Sequence, residues 1–363
     1  MTSVLTDAYK RTKPNWTNLY SGLMVPGGTP VWPGPRFPGD QGIGKMYYGT
    51  STEPGRQTIR QFELQVDPTG EYRAGIHRTY YPNSTLVSSM VDAASDDIEN
   101  KRIPVVSIHP PSLGGGRGAD WDSVAAGDQD AWLISMANAL ADLSGPVWLS
   151  IAPEPRGDGP AESWTAMYAR VTSVMKPLAP NVAHVPIMNG FAFQVGGDPD
   201  PSIWFVESAD IQGVDSYNEW WTYEPGSHPT WDPPKTKPYQ PFGDMQRVFG
   251  NVIDGIQKFG EGNWPILFAE YGVHYGWINS ATIPNNDSAA QFILDAYDFC
   301  LARNVVGMSY FNSGLNAPWG AWYLDAYEQY PPYYPSPRVY IPNLSKLNAF
   351  VSNTKKVGVV NLP

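Results

Sequence analysis

The sequence predicts an α/β fold: a closed (β/α)8 or TIM barrel with an irregular N-terminal arm and long βα loops. Three observations predict it. Short apolar runs rich in β-branched and aromatic residues alternate eight times with longer stretches, most of them amphipathic. These runs are apolar at nearly every position, as strands covered on both faces are, which points to a parallel sheet. From Met46 to Phe311 the eight units span about 265 residues, close to the roughly 250 of such a barrel. A doubly wound open sheet is the structural alternative, but neither GxGxxG nor GxxxxGK(S/T) follows an early strand.

Residues 1–44 carry many prolines and no sustained period, which reads as an arm, and 45–363 read as the barrel. The first strand is KMYYGTS, from Lys45. The second ends in AGIHRTYY, before a helix over STLVSSMVDAASDDIEN that Asn83 or Ser84 can cap. IPVVSIHP is the third, followed by a glycine-rich loop and the helix DQDAWLISMANALADL. VWLSIAPEP is the fourth, with AESWTAMYARVTSVMKPL as its helix. The fifth, VAHVPIMNG, has only irregular chain after it. The sixth, DIQGVDSYNEWW, leads through a long proline-rich loop to the helix DMQRVFGNVIDGIQKFG. PILFAEYG is the seventh, with the helix DSAAQFILDAYDFCLARN, and VVGMSYFNS the eighth, before a closing helix over LSKLNAFVSNTKK.

Composition removes several function classes. The net charge is −11 and only 16% of residues are charged, so no positive field exists to gather phosphates, and nucleic acid is excluded as the main partner. No apolar run reaches the roughly 18 residues of a membrane span, and Met1 to Tyr20 has no apolar core of a secretory signal. Cys300 is the single cysteine, which excludes an intrachain disulfide and a thiolate metal cage. Its amphipathic surroundings suit a small buried helix residue. His77, His109, His184, His228 and His274 show no HxH or HExxH spacing, and no GxSxG elbow is present. The expectation is no catalytic metal and no cofactor. GGGRG at 114–118 lacks the Lys-Ser/Thr of a phosphate loop and reads as a mobile lip on a cleft.

In such a barrel the active site lies at the C-terminal ends of the strands, so the polar residues there are the candidates. They are His77 and Arg78, His109, Glu154, Asn189, then Asp215, Tyr217 and Asn218, then Glu270 and Tyr271, and finally Tyr310 and Asn312. Glu154 and Glu270 stand out. A carboxylate closing an apolar strand loses hydration and must be compensated by partners or by function. The fourth and seventh strands face each other across the barrel mouth, so the two side chains can converge on one substrate. Structural alternatives exist for each: Glu154 paired with Arg156, Glu270 paired with Arg78, the two histidines as hydrogen-bonded structural residues, and Asp215 as a strand-end cap. The 14 Trp and 21 Tyr cluster in Pro/Gly-rich segments, where Trp220, Trp221, Trp231, Trp277, Trp319 and Trp322 can stack on sugar rings or pack under loops.

AEYG at 269–272 and APEPRGDG at 152–159 resemble the motifs of a large clan of (β/α)8 retaining glycosidases, and the resemblance covers roughly Lys45 to Ser313. It implies Glu270 as nucleophile and Glu154 as general acid/base, with Arg78, His109 and Tyr217 at supporting positions. This sequence departs from the clan at Pro153, where the clan usually carries an Asn that donates to the sugar 2-hydroxyl. Asn189 or Asn218 could take over that contact. Phe311 and Tyr310 stand where many members place a Trp platform. A second resemblance, to phage tail proteins of actinobacteria, rests on the Trp-, Gly- and Pro-rich texture.

The expectation is therefore a retaining glycoside hydrolase of a polysaccharide or cell-wall glycan, extracellular or virion-associated and able to belong to a larger assembly. Glu154 and Glu270 are its catalytic pair. Arg78, His109, Asn189, Asp215, Tyr217, Asn218, Trp220, Trp221, Trp277, Tyr310, Trp319 and Trp322 bind substrate. The alternative is a carbohydrate-binding barrel that does not cut.

Overall fold

The structure, a computed structural model, describes residues 36–363 apart from 43, 54, 195, 219–240, 261, 263, 274–285, 304, 315–321, 330–338, 343 and 358–363. The parallel sheet is built from β1 (Tyr47–Thr52), β2 (Ile76–Tyr81), β3 (Ile103–Ile108), β4 (Val147–Ile151), β5 (Val182–His184), β6 (Ile187–Asn189), β7 (Gln212–Asn218), β8 (Ile266–Val273) and β9 (Val305–Asn312). Its order is β5-β4-β3-β2-β1-β9-β8-β7-β6. The two end strands are consecutive stretches of one segment. Val185 donates its N–H to Leu149 of β4, and Gly213 of β7 donates to Pro186, so this segment bridges both edges and the sheet curls shut. Pro186, which has no N–H, interrupts the segment and splits the fifth stave into β5 and β6. The result is a TIM-barrel-like α/β fold in which β7, β8 and β9 are the sixth, seventh and eighth staves.

Side chains from most of the staves fill the interior: Tyr47, Ile76, Val105, Trp148, Ile187 and Leu267 belong to one buried cluster. Phe37 belongs to it as well, Trp148 donates to the Pro38 carbonyl at 3.0 Å, and Tyr47 donates to that of Gly39 at 2.8 Å. Residues 36–39 therefore pack against the barrel interior. The rest of the expected arm, residues 1–35, lies outside the described residues.

The helices form the outer layer. The first strand is followed by α1 (Ile59–Val66), opened by a capping box in which Thr58 and Gln61 satisfy each other's backbone N–H groups. After β2 comes α2 (Val87–Glu99); Asn83 caps the short 3-10 turn that precedes it. The glycine-rich loop after β3 is shorter than expected, because α3 (Arg117–Ala126) begins inside GGGRG and precedes α4 (Asp130–Ala141). Next is α5 (Ala161–Met175), and the fifth unit carries only 3-10 turns, as its irregular sequence suggests. The helix expected over 244–260 is α6 (Pro241–Met245) and α7 (Asn251–Phe259) with a π-type stretch between them. Then follow α8 (Asn286–Leu301), a hairpin of β10 (Ala326–Gln329) and β11 (Val339–Pro342), and α9 (Ser345–Val357). Cys300 is buried in α8. Among the described residues no helix is long and apolar enough to cross a membrane.

Candidate active site

A local irregularity aims Glu270 into the mouth. Leu267 and Ala269 of β8 pack in the barrel interior, so strict alternation would turn the next residue outward. The register of β8 instead slips against both neighbours, between Val214 and Asp215 on one side and between Phe268 and Tyr271 on the other. This bulge lets Glu270 face inward directly after Ala269, a use of bulges common beside active sites. Tyr271 then faces the helix layer, where its hydroxyl meets that of Tyr48 at 2.5 Å. Gly272 returns to the mouth. A Cβ there would lie 2.9 Å from the Trp322 ring, so the glycine of AEYG is what lets that indole pack against Tyr217.

Three donors converge on the Glu270 carboxyl. Arg78 and Tyr80, two apart on β2 and so on the same face, approach Oε1 at 3.0 and 2.6 Å, and the Tyr217 hydroxyl donates to Oε2. Glu270 is 6% exposed. Burial is the largest influence on it and pushes its pKa up to about 7; the nearby Glu154 charge adds to the rise, while Arg78 and Tyr80 oppose it. Arg78 is 2% exposed. Burial works against its charge, but Asp215 and Glu270 outweigh burial and hold it protonated.

Glu154 is held differently. It follows β4 in a loop where Ala152 and Glu154, on either side of Pro153, both adopt left-handed backbone with φ of 52° and 56°. Such conformations cost non-glycine residues about 1–3 kcal/mol each and persist where surrounding bonds over-determine them. Here Trp164 of α5 donates to the Ala152 carbonyl at 2.8 Å, and Glu154 donates its own N–H to Ile187 at 2.8 Å. The Asn189 side chain, at the end of β6, donates to Glu154 Oε1 at 3.2 Å and accepts from the Arg156 N–H at 3.0 Å. The residue as a whole is exposed, yet its carboxyl is crowded by the mouth. That burial raises its pKa, Asp158 adds to the rise, and Arg78, Asn189 and Arg117 oppose it. Arg156 pairs with Asp198 at 2.7 Å, so the structural alternative for Glu154 is not what the structure shows. The alternative contact for Glu270, with Arg78, is present, although Arg78 lies closer to Asp215, at 2.6 Å.

The other expected residues divide. Arg78, Tyr217 and Asn189 surround the two carboxyls. His109 stands at the rim, where its Nε2 lies 3.3 Å from Arg117 Nη1 and burial, with Arg117, lowers its pKa to about 4, so it is neutral at pH 7. Four placements correct the sequence reading. Asp215 has a fully buried side chain that serves Arg78 rather than a ligand. Tyr310 is 0% exposed and points into the helix layer against Tyr271, Phe350 and Lys346, since alternation on β9 gives the mouth to Phe311. Asn218 is buried, with its Oδ1 accepting from Arg247 at 2.7 Å. Trp322 is 5% exposed, packed with Tyr217 and Phe311 as a wall beside Glu270 rather than an open platform. Trp220, Trp221, Trp231, Trp277 and Trp319 lie outside the described residues. His77 faces outward to Asp97 of α2, with Nδ1 3.0 Å from both its oxygens, a structural role. Asn312 ties loops together by accepting from the Leu324 N–H. Tyr80 was missed by the sequence reading, although its spacing of two from Arg78 places it on the same face. Among the described residues no cluster of His, Cys, Asp and Glu could hold a metal ion.

No family model matches the chain, and no curated protein matches it. Solved structures do. The catalytic domain of a Bacillus sp. JAMB-750 GH26 endo-β-1,4-mannanase aligns with a TM-score of 0.56 at 14% identity, over 86% of each chain. A GH5-4 broad-specificity endoglucanase from Clostridium longisporum aligns with a TM-score of 0.56 at 13% identity, over 86% of this chain and 97% of that one. A Bacteroides ovatus GH5 xyloglucanase follows with 0.54 at 11%, over 85% and 75%. The likeness is one of fold. At these identities it supports the barrel and leaves the chemistry to the site's own geometry.

Proposed function

We propose that the protein is a retaining glycoside hydrolase acting on a polysaccharide, with Glu270 as nucleophile and Glu154 as general acid/base. One observation carries the reading. Two carboxyl groups, at the ends of the fourth and seventh staves, face one barrel mouth, Glu154 held by Asn189 and Glu270 by Arg78. Glu270, fixed by three donors on a bulged strand, attacks the anomeric carbon. Glu154, on an exposed loop with a raised pKa, gives its proton to the leaving oxygen and later takes one from water. The fold neighbours are named for mannan, glucan and xyloglucan cleavage, and a β-linked glycan of that kind is the first substrate to try. Pro153 offers no donor to a sugar 2-hydroxyl, and Asn189 is engaged by Glu154 and Arg156, so that hydroxyl is recognised from elsewhere or not at all. We read residues 45–363 as one catalytic domain and its setting as extracellular.

The reading is tested with a panel of β-glycans that includes bacterial cell-wall polysaccharide, following the anomeric configuration of the first product by NMR. Retention is the expected result; inversion removes Glu270 as nucleophile. A binding barrel that does not cut is favoured by Pro153 and by the Arg78–Glu270 contact, and it wins if the panel is bound but uncleaved. Membership of a virion tail rests on sequence texture alone.

A further inference from the structure

Arg78 carries one positive charge and stands between two carboxyl groups. Its Nη1 donates to Asp215 Oδ1 at 2.6 Å and reaches Glu270 Oε1 at 3.0 Å, while its Nε donates to Ser107 at 3.2 Å. The Asp215 side chain is wholly buried, and its Oδ2 has no hydrogen-bond partner among the described residues. A half-satisfied interior carboxylate is costly and calls for an explanation. The register pairs Asp215 of β7 with Glu270 of β8, so the bulge that turns Glu270 into the mouth also sets the two carboxyls beside one guanidinium.

Resting on the hydrolase reading above, we propose that Asp215 is a positioning residue that governs Glu270 through Arg78. Asp215 holds the shorter contact, so Glu270 competes for charge compensation and keeps its basicity toward carbon. When a Glu270 oxygen bonds the anomeric carbon, the bond from that carbon to the leaving oxygen breaks and the Glu154 proton passes to that oxygen. Glu270 is then a neutral ester. Arg78 retains Asp215 as counter-ion, so no guanidinium is left buried and uncompensated. Water next attacks the same carbon and gives its proton to Glu154, and Glu270 departs as a carboxylate toward an Arg78 still in place. The groups facing Glu270 are Arg78 and Tyr80 from β2, Asp215 and Tyr217 from β7, and Glu154 after β4. Those facing Asp215 are Arg78, Glu270 and Glu154; burial lifts its pKa well above the usual carboxylate range, Glu270 and Glu154 add to the rise, and Arg78 opposes it.

The test is a carboxyl titration by NMR on the full chain labelled with 13C at the Asp and Glu carboxyls, with Glu270 assigned through E270Q. In D215N the Glu270 midpoint falls, because Arg78 is no longer shared between two carboxyl groups, and the matching limb of kcat/KM on an activated aryl glycoside follows. D210N, which removes the exposed pair with Lys176, leaves the midpoint where it was. An unmoved midpoint in D215N overturns the proposal. Where D215N does not fold, the wild type decides: the Asp215 and Glu270 signals each report both steps of a shared titration, and an Asp215 signal blind to the Glu270 step overturns it. A shifted midpoint in a protein that cleaves no glycan supports the charge division and sinks the hydrolase reading alone. Cleavage with an unmoved midpoint does the reverse.

Discussion

The two carboxyls at the barrel mouth are built in opposite ways. Glu270 sits within a strand, nearly sealed from solvent, with Arg78, Tyr80 and Tyr217 fixing both oxygens. Glu154 sits on a strained loop, more exposed as a residue than Glu270, with a neutral donor, Asn189, at 3.2 Å. A group that must point at one carbon gains from rigidity and fixed dipoles, because reorganising them at the moment of reaction costs rate. A group that must hand a proton to a leaving oxygen and then to water gains from access and from weak, uncharged partners. The asymmetry supports the proposed roles independently of any sequence motif.

The largest effect is expected at Glu270. Glu270→Gln lowers kcat by at least about 10⁴-fold on any cleaved substrate, since the nucleophile itself is lost. The same variant has a stability signature. Burial lifts the folded pKa of Glu270 above its ordinary 4.5, so the stability it contributes is complete below about pH 4.5 and is lost as pH rises through about 7. The amide escapes that loss, and its Tm in calorimetry exceeds that of the wild type at pH 8 and by less at pH 5. An equal difference at both pH values contradicts the burial account.

Glu154→Ala comes next. It costs about 10²–10⁴-fold on natural glycans with poor leaving groups and far less on a dinitrophenyl glycoside, which needs no acid. A uniform loss across leaving groups assigns Glu154 to another role. Tyr217→Phe removes one donor to an ionised carboxylate, worth about 1.5–3 kcal/mol, and lowers kcat/KM about tenfold or more. It also moves the Glu270 limb of the pH profile upward, because the charged form has lost a partner. Asn189→Ala has the smallest effect, a few-fold in rate, with the Glu154 limb moving upward for the same reason. A larger loss at Asn189 than at Tyr217 reverses the proposed division of labour.

Much of the barrel is legible in the sequence because its signal is local. Apolar runs such as IPVVSI and PILFAEYG and helical stretches such as AESWTAMYARVTSVM each state their own period, and the structure places strands or helices over them. Glu154 and Glu270 are legible for a related reason, since a carboxylate ending an apolar strand stands out against its neighbours. Tyr80 was within reach of the same logic through its spacing from Arg78. Tyr310 stands at a strand end, yet alternation on β9 turns it to the helix layer and gives Phe311 the mouth. Phe37 was missed because an aromatic among prolines carries no period at all, yet it fills the barrel floor beside Trp148.

The order of apolar and polar residues along the chain by itself determined the parallel barrel and the two acidic strand ends, because burial acts on each segment separately. The tertiary structure alone decided how those acids are held. Arg78 meets Asp215 across 137 positions of chain, and Tyr80 meets Glu270 across 190. The bulge at Ala269 that brings Glu270 inward exists only as a slipped register between neighbouring strands. Charge sharing, desolvation and aim depend on which distant groups come within about 3 Å, and ring closure sets that distance.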